Sequence, residues 1–199
     1  MASDPASIDF WFDPLCPFTW RTSRWVTDIG QRRGIPVRWH LMSLAVLNEG
    51  NDVPEEYRQR IATSWQALRV LAAAEPTKPG ALADLYTALG RRVHDKGQDL
   101  DSATLVEALH DAGLPAELAD AGNDEGYDGG IRASHAAGQS RVGTDSGSPV
   151  TAIGDGPGFF GPVVVPIPTG AEAEALFDAL VLLSRVPAFS ELKRARAAF

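Results

Sequence analysis

Residues 7–20 read Ser7-Ile-Asp-Phe-Trp-Phe-Asp-Pro-Leu-Cys-Pro-Phe-Thr-Trp20. Ile8, Phe10 and Phe12 take alternate positions, the period-2 signature of a strand over Ser7 to Asp13, and Trp11 adds β propensity. Pro17 suits the first turn of a helix, where its missing N–H would have had no partner. Trp20, Trp25 or Val26, and Ile29 then recur at helical spacing up to the Gly30 to Gly34 stop region. Val37, Trp39 and Leu41 alternate again after Pro36. A strand, a helix long enough to cross over and a second strand predict a parallel β-α-β unit.

The following hundred residues change character. Asp52 with Glu55 predicts a capped helix carrying Tyr57, Ile61, Trp65 and Leu68. Leu82, Leu85, Leu89 and Val93 mark another helix, and Leu105, Leu109 and Ala112 a third that Gly113 stops. Pro115 to Ala121 reads as a short helix. Tyr127, Ile131 and His135 predict one more despite Gly129-Gly130, each worth about 1 kcal/mol against Ala. Val150 to Ile153, the turn Gly154-Asp-Gly-Pro-Gly158 and the apolar run Phe159 to Val165 predict a β-hairpin. Glu172 to Arg185 closes the series as an amphipathic helix with Pro187 beyond its end. The order is β-α-β, helical block, β-β-α. It predicts one α/β unit, residues 1–50 with 140–199, carrying a large all-helical insertion at about 51–139.

Composition narrows the function. The 199 residues are 44% hydrophobic and 22% charged, the balance of a chain that folds by itself, and the formal charge of −8 argues against nucleic-acid or anionic-membrane partners. The basic cluster Lys193-Arg194-Ala195-Arg196 reads as a solvated tail. No leader pattern and no membrane-length apolar stretch is present, and the single cysteine cannot form an intramolecular disulfide. The expectation is a cytoplasmic protein.

That cysteine, Cys16, stands where strand turns into helix. A lone cysteine is ordinarily a small buried hydrophobe. At a helix start, however, it faces unpaired amides and the positive end of the helix dipole, which can bring a thiol from about 8.5 down to roughly 3.5–7.5. An Asp-Pro-Leu-Cys-Pro turn at the carboxyl end of a parallel strand is also where open α/β sheets bind ligands. The prediction is a nucleophilic thiol with a depressed pKa.

Cys16-Pro17-Phe18-Thr19 resembles the Cys-Pro-x-Cys motif of the DsbA-like branch of the thioredoxin superfamily, whose element order this chain shares. More narrowly, Asp9-Phe-Trp-Phe-Asp-Pro-Leu-Cys-Pro17, Trp39-His-Leu-Met-Ser-Leu-Ala45, Leu85-Tyr-Thr-Ala-Leu-Gly90, Asp111-Ala-Gly-Leu-Pro-Ala-Glu117 and Phe159-Phe-Gly-Pro162 resemble the actinobacterial mycothiol-dependent nitroreductases. The resemblance runs from about residue 8 to 196. It implies a thioredoxin-like fold, a catalytic Cys16, and a cis-proline loop beside it at Ser148-Pro149. It further implies no tightly bound cofactor, mycothiol as a co-substrate, a small organic or disulfide substrate, and a monomer or homodimer.

The chain departs from that pattern at Thr19, where dithiol members carry the resolving cysteine. A mixed disulfide on Cys16 would need an external thiol for its release. Thr19 either donates its hydroxyl to the Cys16 thiolate or merely fills the space of a lost cysteine. Candidates for a substrate pocket are Trp20, His40, Tyr57, Trp65, His135 and Phe160, with Phe18 and Trp20 nearest the reactive turn. Two other readings stand. Kappa-type glutathione transferases and hydroxychromene-carboxylate isomerases resemble this architecture and activate a bound thiol without cycling disulfides. A thioredoxin-like pocket that only binds is the third.

Some motifs carry less. Thr144-Asp-Ser-Gly-Ser-Pro149 is similar to the serine stretch of chymotrypsin-like proteases, but that fold is all-β. Gly156-Pro-Gly-Phe-Phe-Gly161 has dinucleotide-fingerprint spacing, yet a strand-like run follows where a helix is required. His40, His94, His110 and His135 lack metal-ligand spacing.

Overall fold

The computed structural model describes residues 5–144 and 146–195, so Asp145 and the last residue of the basic cluster, Arg196, lie outside the described residues. Strand β1 (Ile8–Phe12) is buried along its whole length because it is central in a four-stranded sheet of order β2-β1-β3-β4. It pairs in parallel with β2 (Val37–Leu41), Ile8 opposite Val37 and Phe12 opposite Leu41. On its other side runs β3 (Val150–Ile153), antiparallel, followed by β4 (Gly158–Phe160).

The crossover between β1 and β2 is α1 (Pro17–Arg33). It ends at Gly34, whose φ of 65° lets its amide reach the Gly30 carbonyl. Gly30 is required for a different reason: a Cβ there would stand 2.8 Å from Val37 Cγ2, so only glycine lets the helix lie this close to the returning strand. Helix α8 (Gly170–Leu183) packs on α1, where the Trp25 indole donates to the Ala173 carbonyl at 3.1 Å and its ring lies against Phe177.

Between β2 and β3 come α2 (Leu44–Leu47), α3 (Glu55–Ala62), α4 (Ser64–Ala74), α5 (Ala81–Gly90), α6 (Ser102–Asp111) and α7 (Asp128–Val142). A π-helical turn, Arg91–Asp95, extends α5, and 3-10 turns cover Ala116–Asn123 and Glu125–Tyr127. One apolar core joins the sheet to these helices through Phe10, Phe12, Trp20, Leu71, Tyr86 and Leu109. Tyr86 stacks on Phe12 at 3.9 Å between ring centroids. The sheet and the helical segment therefore share this core, while Trp11, Met42, Val150 and Ala152 form a second, smaller cluster.

Several elements differ from the sequence reading. The helix expected from Asp52 is two helices broken at Thr63, and Pro54, not Asp52, takes the N-cap position. The strand expected over Phe159 to Val165 stops at Phe160, because Pro162 and Pro166 lack ladder donors; both follow cis bonds. Helix α2 is a single turn, too short to leave a periodic signal. Gly129 and Gly130 are tolerated in α7, where a side chain at either would meet open space. No helix among the described residues is long and apolar enough to cross a membrane.

Candidate active site

The turn between β1 and α1 is built around Asp13. Its carbonyl accepts the Cys16 amide at 3.1 Å, and its carboxylate folds back so that Oδ1 accepts the Leu15 amide at 2.8 Å. Cys16 then sits at the N-cap with extended backbone (φ −80°, ψ 113°), and its carbonyl accepts the Trp20 amide to close the first turn of α1. The second carboxylate oxygen accepts the Leu44 amide at 2.7 Å, tying the turn to the start of α2. Asp13 is wholly buried. Burial outweighs the stabilising Leu44 and Leu15 amides and the neighbouring Ser64 hydroxyl, and its carboxyl is pushed up to about 6.

The sulfur faces the loop before β3. Cys16 Sγ lies 3.5 Å from the Ser148 carbonyl, and the Ser148–Pro149 bond is cis. Ser148 Oγ accepts the Asp13 amide at 2.9 Å and shares a 2.8 Å hydrogen bond with Thr19 Oγ1. A hydroxyl has one proton. If Ser148 gives its proton to Thr19, the Thr19 proton is free for the sulfur one helical turn back. Asp13, Cys16, Thr19 and Ser148 thus form one hydrogen-bonded group at the carboxyl end of the central strand.

The expected depression of the thiol pKa is not what this environment produces. Cys16 is at the helix start, as predicted, but only 7% exposed. Burial pushes the thiol up from its ordinary value; the Thr19 hydroxyl and amide oppose this, the Asp13 charge adds to it, and the Phe18 amide opposes it weakly. Desolvation removes the water that would otherwise solvate a thiolate, and a helix start does not replace all of it. In the free protein the thiol is protonated at neutral pH and directs its proton at the Ser148 carbonyl.

The other sequence candidates divide. Tyr57, on α3 and 37% exposed, is close enough to Cys16 and Asp13 for their charges to help raise its own pKa, after burial, which is the main cause. Phe160 is exposed at the end of β4 and pairs with Val150, next to Pro149. Pro17 and Phe18 are half-buried at the mouth of the turn. Trp20, by contrast, is a buried core residue whose indole donates to Asp95 Oδ1 at 2.8 Å, so it does not present a face to substrate. His40 bonds Asp9 at 2.6 Å and stacks on Trp11, on the sheet face away from Phe10 and Phe12. His135 is buried, accepting the Ser43 amide at 3.3 Å. Trp65 is half-buried beneath the Arg69 and Arg132 guanidinium groups.

Two participants were not singled out by sequence. Asp13 left a signal, because Asp-Pro turns place a carboxylate on the amide two residues on. His94 left none. It lies in the π-helical turn, bonds the Pro14 carbonyl through Nε2 at 2.8 Å and stacks on Trp20, so the helical segment reaches back to hold the thiol turn. Burial holds the His94 pKa below the ordinary value, against the raising effect of the Pro14 carbonyl, so the ring is neutral.

Comparison with known proteins identifies the family. The family model for the mycothiol-dependent nitroreductase Rv2466c matches residues 15–194. Rv2286c of Mycobacterium tuberculosis, an uncharacterised protein, is 32% identical over an alignment of 191 residues that covers 94% of this chain and 81% of that one. Among solved structures, a 2-hydroxychromene-2-carboxylate isomerase superposes with a TM-score of 0.62 at 17% identity, covering 90% of this chain and 95% of its own. The cytosolic disulfide reductase DsbM from Pseudomonas aeruginosa, solved with GSH, gives 0.59 at 17% identity over 89% of this chain and 100% of its own. DsbA of Chlamydia trachomatis gives 0.59 at 14% identity, covering 94% and 91%. The chain belongs to the Rv2466c-like family of mycothiol-dependent nitroreductases, thiol oxidoreductases on a DsbA-like thioredoxin fold.

Proposed function

We propose that this protein reduces disulfides or electrophilic organic substrates, including nitroaromatics, by monothiol exchange at Cys16, with mycothiol as the small thiol. In the disulfide reaction the Cys16 sulfur attacks one sulfur of the substrate disulfide; a Cys16–S bond forms, the substrate S–S bond breaks and the other half leaves as a thiolate. The chain holds one cysteine. A first external thiol must therefore attack the Cys16 sulfur of the mixed disulfide, releasing the second substrate half as a thiolate and leaving small thiol disulfide-bonded to Cys16. A second external thiol attacks the small-thiol sulfur of that bond, Cys16 leaves as a thiolate and the two small thiols depart as their disulfide, so that two external thiols supply the two electrons. We read residues 1–50 and 140–199 as the thioredoxin-like part that carries this chemistry, residues 51–139 as the helical insertion that borders it, and the cytoplasm as its compartment.

The observation that carries the reading is the approach of Cys16 Sγ to the carbonyl before cis-Pro149, with Thr19 Oγ1 bonded to the same serine. Intact-mass measurement after incubation with oxidised mycothiol tests it: one adduct of half the disulfide is expected on the native chain and none on Cys16→Ser. No adduct, or full turnover in Cys16→Ser, overturns it.

A second reading is favoured by one observation, the buried hydroxyl pair of Thr19 and Ser148 beside the sulfur position. Such a pair suits activation of a bound thiol, as in a kappa-type transferase or isomerase. A conjugate or isomer formed while Cys16 stays unmodified would select it.

A further inference from the structure

A groove of about 1000 Å³ runs between α1 and α5, and its walls include Arg24, Thr27, Trp39, Thr87, Arg91 and Lys96. Its charge is unusual for a chain of net charge −8. Arg33, Arg38, Arg69, Arg92 and Arg132 each lie against a carboxylate. Among the described residues no ion pair holds Arg24, Arg91 or Lys96, although all three meet in this groove. The carboxylates nearby are already engaged: Asp111 with Arg92, Asp84 with Lys78, and Asp95 with the Trp20 indole.

Arg24 is the most constrained of the three. Its guanidinium lies 4.1 Å over the Trp20 ring, Nε reaches Ser23 Oγ and Nη1 reaches Thr87 Oγ1, both at 3.2 Å. Its Nη2 is shielded from solvent with no acceptor, as is the Tyr86 hydroxyl. Burial works against its charge and Tyr86 favours it; Arg91 adds a like charge, which Asp95, not in ion-pair contact, opposes. A part-buried cation is retained at low cost only where a counter-charge offsets it, and the protein supplies none in contact. The rest of the groove is partly apolar, through Ile35 and Val37, and its volume is that of a small-molecule site.

We infer that this groove binds a small molecule through a phosphate-like or carboxylate oxyanion held by Arg24, Arg91 and Lys96, with its carbon skeleton against Val37 and Trp39. The site is separate from the Cys16 turn and does not depend on the thiol chemistry.

Isothermal titration calorimetry of the full chain with inorganic pyrophosphate, and in parallel with citrate, tests it. Saturable binding of at least one of the two anions is expected in the native chain, and equally in Cys16→Ser, whatever that variant does to turnover. Arg91→Gln/Lys96→Gln should weaken it roughly tenfold or more with an unchanged unfolding temperature, because both side chains are exposed. Arg24→Gln should also weaken binding, and Lys193→Gln/Arg194→Gln should not. Absence of saturable binding by either anion, or equal affinity in Arg91→Gln/Lys96→Gln, overturns the proposal.

Discussion

Replacing Asp13 by asparagine isolates the cost of one buried charge beneath the thiol turn. The folded carboxyl holds its proton up to about pH 6, against an ordinary value of 3.8. Between these values the folded chain binds more protons than the unfolded one, so stability falls as pH rises through this window. At about 1.36 kcal/mol per pH unit the total loss is about 3 kcal/mol, complete above about pH 6. Asparagine has no proton to lose. It also carries one acceptor where the carboxylate carries two, so either the Leu15 or the Leu44 amide is left facing an NH2 group, a constant penalty of about 1–3 kcal/mol. The decisive quantity is thus the change with pH. Urea denaturation of both proteins from about pH 3 to about pH 7 should show Asp13→Asn gaining about 3 kcal/mol on the native chain. Parallel stability curves would refute the claim that this carboxylate is held charged against its burial.

The remaining predictions concern the sulfur and its supports. The rate of Cys16 alkylation by iodoacetamide should climb with pH through neutrality without levelling off below the ordinary thiol range, and Asp13→Asn should move the curve to lower pH by removing a negative charge; a plateau at acidic pH would show a stable thiolate instead. Thr19→Val should slow alkylation at a given pH and cost about 1–2 kcal/mol on urea denaturation, since Ser148 Oγ loses its buried partner; an unaltered alkylation profile would remove Thr19 from the sulfur's environment. Gly90→Ala should destabilise by about 1–3 kcal/mol or more, because the new Cβ would fall 2.2 Å from the Trp20 ring. Near-native stability with an unchanged tryptophan emission spectrum would contradict the packing of α5 on Trp20.

Local signals were readable and long-range ones were not. Strand β1, helix α1 and strand β2 follow from residue spacing, because Ile8, Phe10 and Phe12 share one sheet face and the helix between the strands is bounded by Pro17 and Gly34. Cys16 at the N-cap follows from the same boundaries. Its pKa does not, since a helix start is a local property whereas burial depends on Ser148, which is 132 residues away. The role of His94 depends on a contact with Pro14 across 80 residues, and no spacing in the histidines announces it. Trp20 and His135 were expected at a pocket because aromatic and imidazole groups suit one, yet each satisfies its polar atom inside the protein. The amide and indole donors of buried residues need partners, and those partners are chosen by the fold.

Asp13 joins segments that are distant along the chain. Its amide bonds Ser148 before β3, its carboxylate holds Leu15 in the turn and Leu44 at α2, and Ser64 at the start of α4 stands beside it. His94 adds a fifth segment through Pro14, the residue directly after Asp13. The thiol turn is consequently positioned by the helical segment as much as by the sheet that carries it. This accounts for a charge being kept where burial opposes it: a neutral residue could accept one of the two amides, whereas a carboxylate accepts both. The same charge raises the thiol pKa. Positioning and thiolate formation are therefore opposed at Asp13, and Thr19, bonded to Ser148 on the other side, works in favour of the thiolate. A chain with a single cysteine has no second thiol to assist the first, which leaves this hydroxyl as the nearest group able to offset the burial of Cys16.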